Sequence, residues 1–441
     1  MAITDTIKGA ASAGETARRK DPARLKRRYA AERRFQLMGL TAILIGLGFL
    51  VMLFTSIISN GWTAFLQTNV TLPIELSKKA VMPDGATEPL TLAQGNYTKL
   101  ARQGLYRALG IEGRPDRRVR RKLHALLSRG ADFQIYDAVR GDPSLVGKTV
   151  DIQILAHGNV DALLKGKIDR DISGIDRPLL DQQQIDWIDQ LITNGRMAKQ
   201  FNWGLFTFGA SSQPETSGLF VALIGSIFIM LIVIGLAVPL GVAAAAYLEE
   251  FASKNWLTDI IEVNINNLAA VPSIVFGLLG LAVFINIFGM PRSASLVGGL
   301  VLSLMTLPTV IIATRAAIRA VPPSIREAAL GVGASKMQTL THHILPLALP
   351  GILTGTIIGL VQALGETAPL LMIGLVAFVV DAPTWPTDPA TALPVQIYMW
   401  AQSAERGFVE RTAGATMVLL GFLFVMNAAA VYLRRRYERT W

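Results

Sequence analysis

One acid interrupts a long apolar run. Between Leu347 and Val380 the only Asp, Glu, Lys or Arg is Glu366, in the string Gly365-Glu366-Thr367-Ala368-Pro369-Leu370-Leu371. An ionisable side chain there costs about 2.5–3.5 kcal/mol on membrane-insertion scales, so it belongs against a cavity or a partner rather than lipid. Gly365 and Pro369 break the run after one span's length, and Leu370–Val380 is about half as long as a crossing requires. Such a break is either a local kink or an opening of backbone groups toward a cavity. Gln362 stands one helical turn before Glu366 on the same face, and Thr367 adds a hydroxyl and a backbone N–H beside the break. Upstream, Asn264, Asn266 and Asn267 open another apolar run, with Pro272-Ser273 one to two turns later. These neutral groups either line a path or satisfy one another between helices, a bond worth only about 0.6 kcal/mol on average.

A second chemistry-bearing segment is polar and lies between two apolar runs. Pro322 and Pro323 precede Ser324, which reads as an N-cap with Glu327 three residues on, a capping box. Gly331 and Gly333 read as a hinge and Pro346 as a second stop. A structured helix–turn–helix held just outside a bilayer is a docking surface. Glu327 either stabilises the helix start with Ser324 by about 0.5–2 kcal/mol or pairs with a basic group of a partner. Arg315, at the end of the preceding apolar run, reads most simply as a snorkelling, topology-setting residue. His342 and His343 are adjacent and cannot share a helix face, so they do not read as metal ligands. No metal-ligand spacing, Ser–His–Asp arrangement or Gly-x-x-x-x-Gly-Lys-Ser/Thr loop stands out, and the chain therefore does not bind ATP in the P-loop manner.

The elements that position these residues follow from composition. The 441 residues are 51% hydrophobic, too apolar for a soluble protein of this size and fitting several spans plus one soluble module. With no cysteine, disulfides and thiolate metal sites are excluded. A net charge of +10 invites a nucleic-acid partner, but the charge clusters at the two ends and in one extramembrane stretch, so topology accounts for it and no nucleic acid is expected. Residues 1–36 form a basic terminus, with ten Lys or Arg against four acids up to Arg34. Leu37–Ile58 is an uncleaved first anchor despite Arg33-Arg34-Phe35, because no small-residue cleavage site follows. Five further spans are expected at about 219–246, 264–288, 296–317, 347–367 and 412–433, with Pro239, Pro272 and Pro308 interrupting three of them. Basic residues at both ends put the N-terminus and the C-terminus in the cytoplasm, and with them the loop 322–346. Residues 60–216 then form an extracytoplasmic α/β or α+β module. Its stretch Gly113–Gly130 is strongly basic, either a solvated helix face or a docking surface for lipid headgroups or an acidic partner.

Glu327-Ala328-Ala329-Leu330-Gly331-Val332-Gly333-Ala334-Ser335, followed by Leu345-Pro346, resembles the EAA loop of ABC importer permeases. Gly365–Leu371, the string 268–277 and Pro239–Ala244 look like the phosphate-specific branch of that family, and the Ala-Pro-Leu-Leu ending looks like its PstA type. The resemblance covers about residues 215–435. It implies an all-α polytopic membrane protein, six transmembrane helices of the type I ABC importer permease fold in a bacterial inner membrane, with residues 217–435 as the transmembrane domain and the module as an extra. The function it implies is the membrane-spanning subunit of an ATP-driven phosphate importer. Its partners would be a second permease (PstC type), ATPase subunits (PstB type) that bind the ATP and Mg, an extracytoplasmic phosphate-binding protein, and membrane lipid. This chain would hold no cofactor and would not itself be an enzyme.

On that resemblance Glu327, Ala328, Ala329, Gly333, Leu345 and Pro346 couple to the ATPase, and Glu366, Thr367, Gln362, Asn267, Ser273 and Arg315 belong to the translocation path. A bare carboxylate repels phosphate, so Glu366 either positions a cation or accepts a hydrogen bond from monoprotonated phosphate; the second route rejects sulfate. Family members often carry Arg four residues before this Glu, where this chain has Gln362, so the partner permease would supply the cation. The family's Ile two residues before Leu345 is His343 here, with Ile344 next. The alternatives are a permease for molybdate or sulfate, a membrane-anchored sensor or scaffold, and an ion-coupled carrier, which would show a repeat between halves that this sequence lacks.

Overall fold

A computed structural model of the chain describes residues 22–82, 92, 94–113, 115–171 and 178–437. The basic residues before Pro22, Arg114, and Glu438–Arg439 of the tail lie outside the described residues. The chain divides into two units, Met1–Ser59 and Asn60–Trp441. The first holds all but the last two residues of the 40-residue helix α1 (Pro22–Gly61), which takes in the expected anchor. From Leu25 to Ser59 no residue of α1 is buried, so its apolar surface is one that lipid or another chain would cover.

In the second unit, residues after Asn60 build a small sheet packed on helices. Strand β1 (Leu66–Glu75) alternates with a period of two, so that Val70, Leu72 and Ile74 all face the core with no exposure. Onto it pack α2 (Tyr97–Ala108), α3 (Arg117–His124) and α4 (Ala131–Gly141). Strand β2 (Thr149–Leu155), helices α5 (Gly158–Leu164) and α6 (Gln182–Thr193), and strand β3 (Met197–Phe201) complete the module. The sheet order is β2-β1-β3 and both pairings are antiparallel, which makes the insert α+β rather than α/β. Asp181 and Gln184 form a capping box at the start of α6, and Asn96 caps α2 by accepting from the Lys99 N–H at 3.1 Å.

The module joins the membrane segment through one end of β1. Leu66 pairs with Phe201, and Asn202 Nδ2 donates to the Ala64 carbonyl at 2.9 Å. The Thr68 N–H donates to Asp161 Oδ1 at 2.8 Å, and Lys165 Nζ bridges Asp161 and Glu410 at 2.6 and 2.8 Å with its side chain 2% exposed. At the other end, Glu75 pairs with Arg107 on α2 and with Thr149 in register on β2.

The membrane segment comprises α7 (Phe220–Ala246), α8 (Trp256–Ala269), α9 (Ser273–Gly280), α10 (Ser295–Arg319), α11 (Pro323–Gly331), α12 (Leu345–Gly365), α13 (Ala368–Met372), α14 (Leu393–Ala401) and α15 (Gly407–Tyr437). Five described helices are long and apolar enough to cross a membrane, α1 included, and α8–α9 makes a sixth if the pair counts as one span. It does count as one. Glu249, just past α7, pairs with Arg315 and Arg319, so α7 and α10 end at the same level. Both begin at the opposite level, where residues 386–393 bond Leu296 and Ser226. The chain from 252 to 294 must therefore return across the bilayer.

Three expectations need correction. The third span is not a straight helix from 264; it starts at Trp256 and bends by 101° between Ala269 and Ser273, where Pro272 is extended and cannot continue the first helix. Pro239 and Pro308, by contrast, lie inside unbroken helices. Pro346 is no stop either. A π-helical stretch (Thr339–Ile344) runs into α12, giving one helix from Lys336 to Gly365. A proline cannot donate to the carbonyl four residues back, and a π-turn just before it accommodates that defect.

Helices α10 and α12 pack on small residues. Gly351 meets Ala317, Gly355 meets Ala313, and Gly359 meets Thr306; a Cβ on Gly355 would lie 2.0 Å from that of Ala313. Glycine every fourth residue lets two backbones approach where lipid offers no hydrophobic drive.

Candidate functional site

The segment expected to couple to an ATPase is built as a helix with a defined stop. Helix α11 has Pro323 in its first turn, and Pro322 occupies the N-cap, so the expected Ser324–Glu327 capping box does not form. Proline is preset for the first helical position and moves the start one residue forward. The capping box lies downstream, where Ser335 Oγ accepts from the Gln338 N–H at 3.2 Å and Gln338 Oε1 accepts from the Ser335 N–H at 2.9 Å. Gly333 is the hinge, with φ of +90°. The Gly333 N–H donates to Leu330 O at 3.0 Å and the Ala334 N–H to Ala329 O at 3.1 Å, a Schellman motif that needs a residue without Cβ.

This geometry sorts the residues expected to couple. Glu327, Ala328 and Gly333 are exposed, and the Glu327 carboxylate has no partner among the described residues. Beside them Leu330, Val332 and Met337 are exposed, Val332 at 86%, an apolar patch on an otherwise polar segment. Ala329 is buried and Leu345 and Pro346 are half-buried, so these three hold the segment in place rather than present it.

An ion lattice ties the segment to the spans, and the sequence reading missed it. Arg326 Nε donates to Glu250 Oε1 at 2.9 Å, while Nη1 and Nη2 donate to the carbonyls of Val321 and Ile318 at 3.2 and 2.9 Å. One side chain thus caps the end of α10 and binds the segment following α7. Arg315 bonds Glu249 at 3.3 Å and also Glu262 on α8; Arg319 bonds Glu249 at 2.6 Å. Arg315 is therefore clamped by two carboxylates and does not snorkel. The available signal was a pair of acids, Glu249-Glu250, at the end of an apolar run, matched by bases near the end of another.

Glu366 stands at the break that the sequence anticipates. It is the C-cap of α12, extended at ψ 128°, and α13 restarts at Ala368. Continuing the contacts of Gly351, Gly355 and Gly359 along α10 sets Glu366 near Leu302, seven residues or roughly 10 Å inside the start of that helix. Glu366 and Thr367 are half-buried, Gln362 is exposed, and the Glu366 carboxylate has no partner among the described residues. Helix α13 packs tightly on α9: a Cβ on Gly277 would meet Pro369 Cα at 2.7 Å. This contact brings the two helix breaks, at 270–272 and 366–367, to one region, with Ser273 opening α9 there. Asn267 lies on α8, none of whose residues is buried, and no bond joins it to Glu366. Arg315 lies about 13 residues, or roughly 20 Å, along α10 from the level of Glu366 and belongs to the lattice instead.

Six crossings, an exposed helical segment clamped by arginines, and an unpartnered acid at a membrane break define a transport subunit rather than an enzyme. A family described as "Binding-protein-dependent transport system inner membrane component" matches residues 237–439, and a "Domain of unknown function (DUF3333)" matches residues 22–173. The chain belongs to that transport family: it is a multi-pass inner-membrane permease subunit of an ABC importer, which works with another permease, an ATPase and a substrate-binding protein. Within the family it is similar to the "Phosphate transport system permease protein PstA 1" of Mycobacterium tuberculosis, 31% identical over 226 residues, which are 51% of this chain and 73% of that one. It is also 31% identical over 256 residues to the "Probable ABC transporter permease protein YqgI" of Bacillus subtilis, 55% of this chain and 86% of that one. Among solved structures, the inward-facing MetNI methionine ABC transporter is 17% identical and covers 50% of this chain and 95% of that chain, with a TM-score of 0.41. Family membership displaces the sensor and ion-coupled-carrier readings.

Proposed function

We propose that this chain is the PstA-type subunit of an ATP-driven phosphate importer, paired with a PstC-type permease and PstB-type ATPases that bind ATP and Mg. One observation supports the substrate above the others: the acid at the membrane break is unpartnered and half-buried, in the Gly-Glu-Thr setting of a chain whose relative is a phosphate permease. An anion meeting a lone carboxylate must bring a proton or find a cation. Monoprotonated phosphate brings the proton, and a cation from the second permease would complete the site, since Gln362 stands where a positive charge would otherwise lie. Thr367 and Ser273 supply neutral donors near the two breaks. On the other side of the bilayer, Glu327, Ala328 and the apolar patch of Leu330, Val332 and Met337 would seat in the ATPase, with Gly333 allowing α11 to turn against the following helix. Both termini and this segment would then be cytoplasmic, and the α+β module extracytoplasmic.

The test is uptake of labelled phosphate by cells lacking their own copy of this chain, supplied with wild type or Glu366→Gln. Wild type should restore uptake that ignores unlabelled sulfate and molybdate, and the variant should lose most of it at normal membrane levels. Suppression by either competitor would reassign the substrate to another oxyanion and leave the permease family intact.

A further inference from the structure

Helices α2 and α3 of the module flank a cavity of about 830 Å³ that is open to solvent, and a second open cavity of about 670 Å³ on α3 adjoins it at Arg120 and His124. The larger is lined by Lys99, Arg102, Tyr106 and Arg107, the smaller by Arg117, Arg118 and Arg121. Among the described residues no carboxylate lines either one. Arg107 is paired with Glu75; Lys99, Arg102, Arg117, Arg118, Arg120 and Arg121 have no ion-pair partner among the described residues. At the junction the rings of Tyr106 and His124 stack at 5.9 Å and their polar atoms meet at 2.7 Å, giving the floor a fixed shape.

We propose that the two cavities form one binding site for an anion bearing several phosphate groups along a chain, a condensed or polyphosphorylated ligand. Guanidinium forks match phosphate oxygens two at a time, so three or four arginines gathered in one patch suit this chemistry better than scattered lysines would. A single orthophosphate would neutralise about a third of six unpaired cations and reach only one cavity, whereas a chain crossing Arg120 reaches both. The site runs between the two ends of β1: Arg107 pairs with Glu75, nine residues and roughly 30 Å along the strand from Leu66, whereas the chain just after α3 returns to the Leu66 end, where Leu127 bridges Ala156 and the Ala156 N–H donates to Thr68 O. A lipid headgroup carries its phosphate at one point, and a ligand that reaches both cavities carries several. The cationic surroundings already register in the site: burial, then Arg102 and Arg120, hold His124 down to about 4. An anion among Lys99, Arg102, Arg107 and Tyr106 of α2 and Arg117, Arg118, Arg120 and Arg121 of α3 would push it back up.

The site is separate from the phosphate path and does not rest on it. Detergent-purified full-length chain is titrated calorimetrically with tripolyphosphate, orthophosphate, a short-chain soluble phosphatidic acid and poly-L-glutamate, while the four histidines are followed by NMR. Tripolyphosphate should bind at least about tenfold tighter than orthophosphate and raise the titration point of His124 alone. Arg102→Gln with Arg120→Gln should weaken it at least about tenfold, and Arg140→Gln, exposed on α4, should not. Equal binding of orthophosphate, or undiminished binding by the double variant, overturns the proposal. Tighter binding of poly-L-glutamate or of the phosphatidic acid overturns it in favour of an acidic protein or a lipid. Should the double variant fail to fold, an unmoved His124 in the wild-type chain is sufficient to reject it.

Discussion

Arg315 and Arg326 show what single residues contribute and what sequence conceals. Arg315 is 12% exposed between Glu249 and Glu262; neutralising it leaves the part-exposed Glu262 without its cation, while Glu249 keeps Arg319. Breaking a fully buried ion pair from one side costs about 3–5 kcal/mol; with solvent at Glu262 and Arg319 left on Glu249, Arg315→Gln should cost less than that and lower the thermal melt of the purified chain by a few degrees. Adding Glu262→Gln should recover part of the loss, as expected for coupled neighbours. Arg326→Gln has a different expected outcome. It releases the coupling segment from Glu250 and from the α10 carbonyls, so ATP hydrolysis by the assembled complex should persist while phosphate uptake falls. Glu366 was legible because an acid in an apolar run is conspicuous wherever the fold places it. The lattice was not legible, because its partners are 53 to 76 residues apart and each arginine alone reads as a helix-end charge.

At the scale of elements, packing surfaces decide more than helix propensity does. Gly355 faces Ala313 with no room for a methyl group, so Gly355→Ala must push α12 away from α10 at a cost of about 1–3 kcal/mol. Ala313→Gly in the same chain should restore most of the lost melting temperature. In the module, the His124 imidazole titrates near 6.5 when unfolded and at about 4 when folded, because burial and then Arg102 and Arg120 disfavour its charged form. Between those values the unfolded state binds the extra proton. The contribution is therefore whole above about pH 6.5 and is lost progressively as pH falls to about 4. Amides of α2 and α3 should exchange faster at pH 5 than at pH 7 after correction for intrinsic rates, and His124→Gln should remove that difference. The apolar spans were legible from length alone, and the helix break at Gly365 from its Gly and Pro. The 101° bend and the π-turns were not, since a proline reads alike whether the chain around it kinks, bulges or runs straight. The capping box was misplaced for a related reason: Pro323 and Ser324 both signal a helix start, and proline prevailed.

For the whole molecule, the central question is which surfaces remain uncovered. Helix α8 buries none of its residues, and Trp256, Leu257, Ile260 and Ile261 stand open on it, as expected of a face that a second permease or lipid completes. Because the chain has no cysteine, topology is open to single-cysteine labelling without a background. In intact cells an impermeant maleimide should modify Arg118→Cys on the module and spare Glu327→Cys, which should react only after permeabilisation. The reverse pattern would invert the orientation of the chain.

The buried bridge of Lys165 to Asp161 and Glu410 makes the module an extension of the last span. With β1 leading about 30 Å away from that anchorage, the strand acts as a pointer: each 5° of tilt in α15 would sweep its tip through roughly 3 Å. A dye at Glu75, paired with one on a fixed landmark on the same side of the membrane, would display the transport cycle without touching the path it reports on.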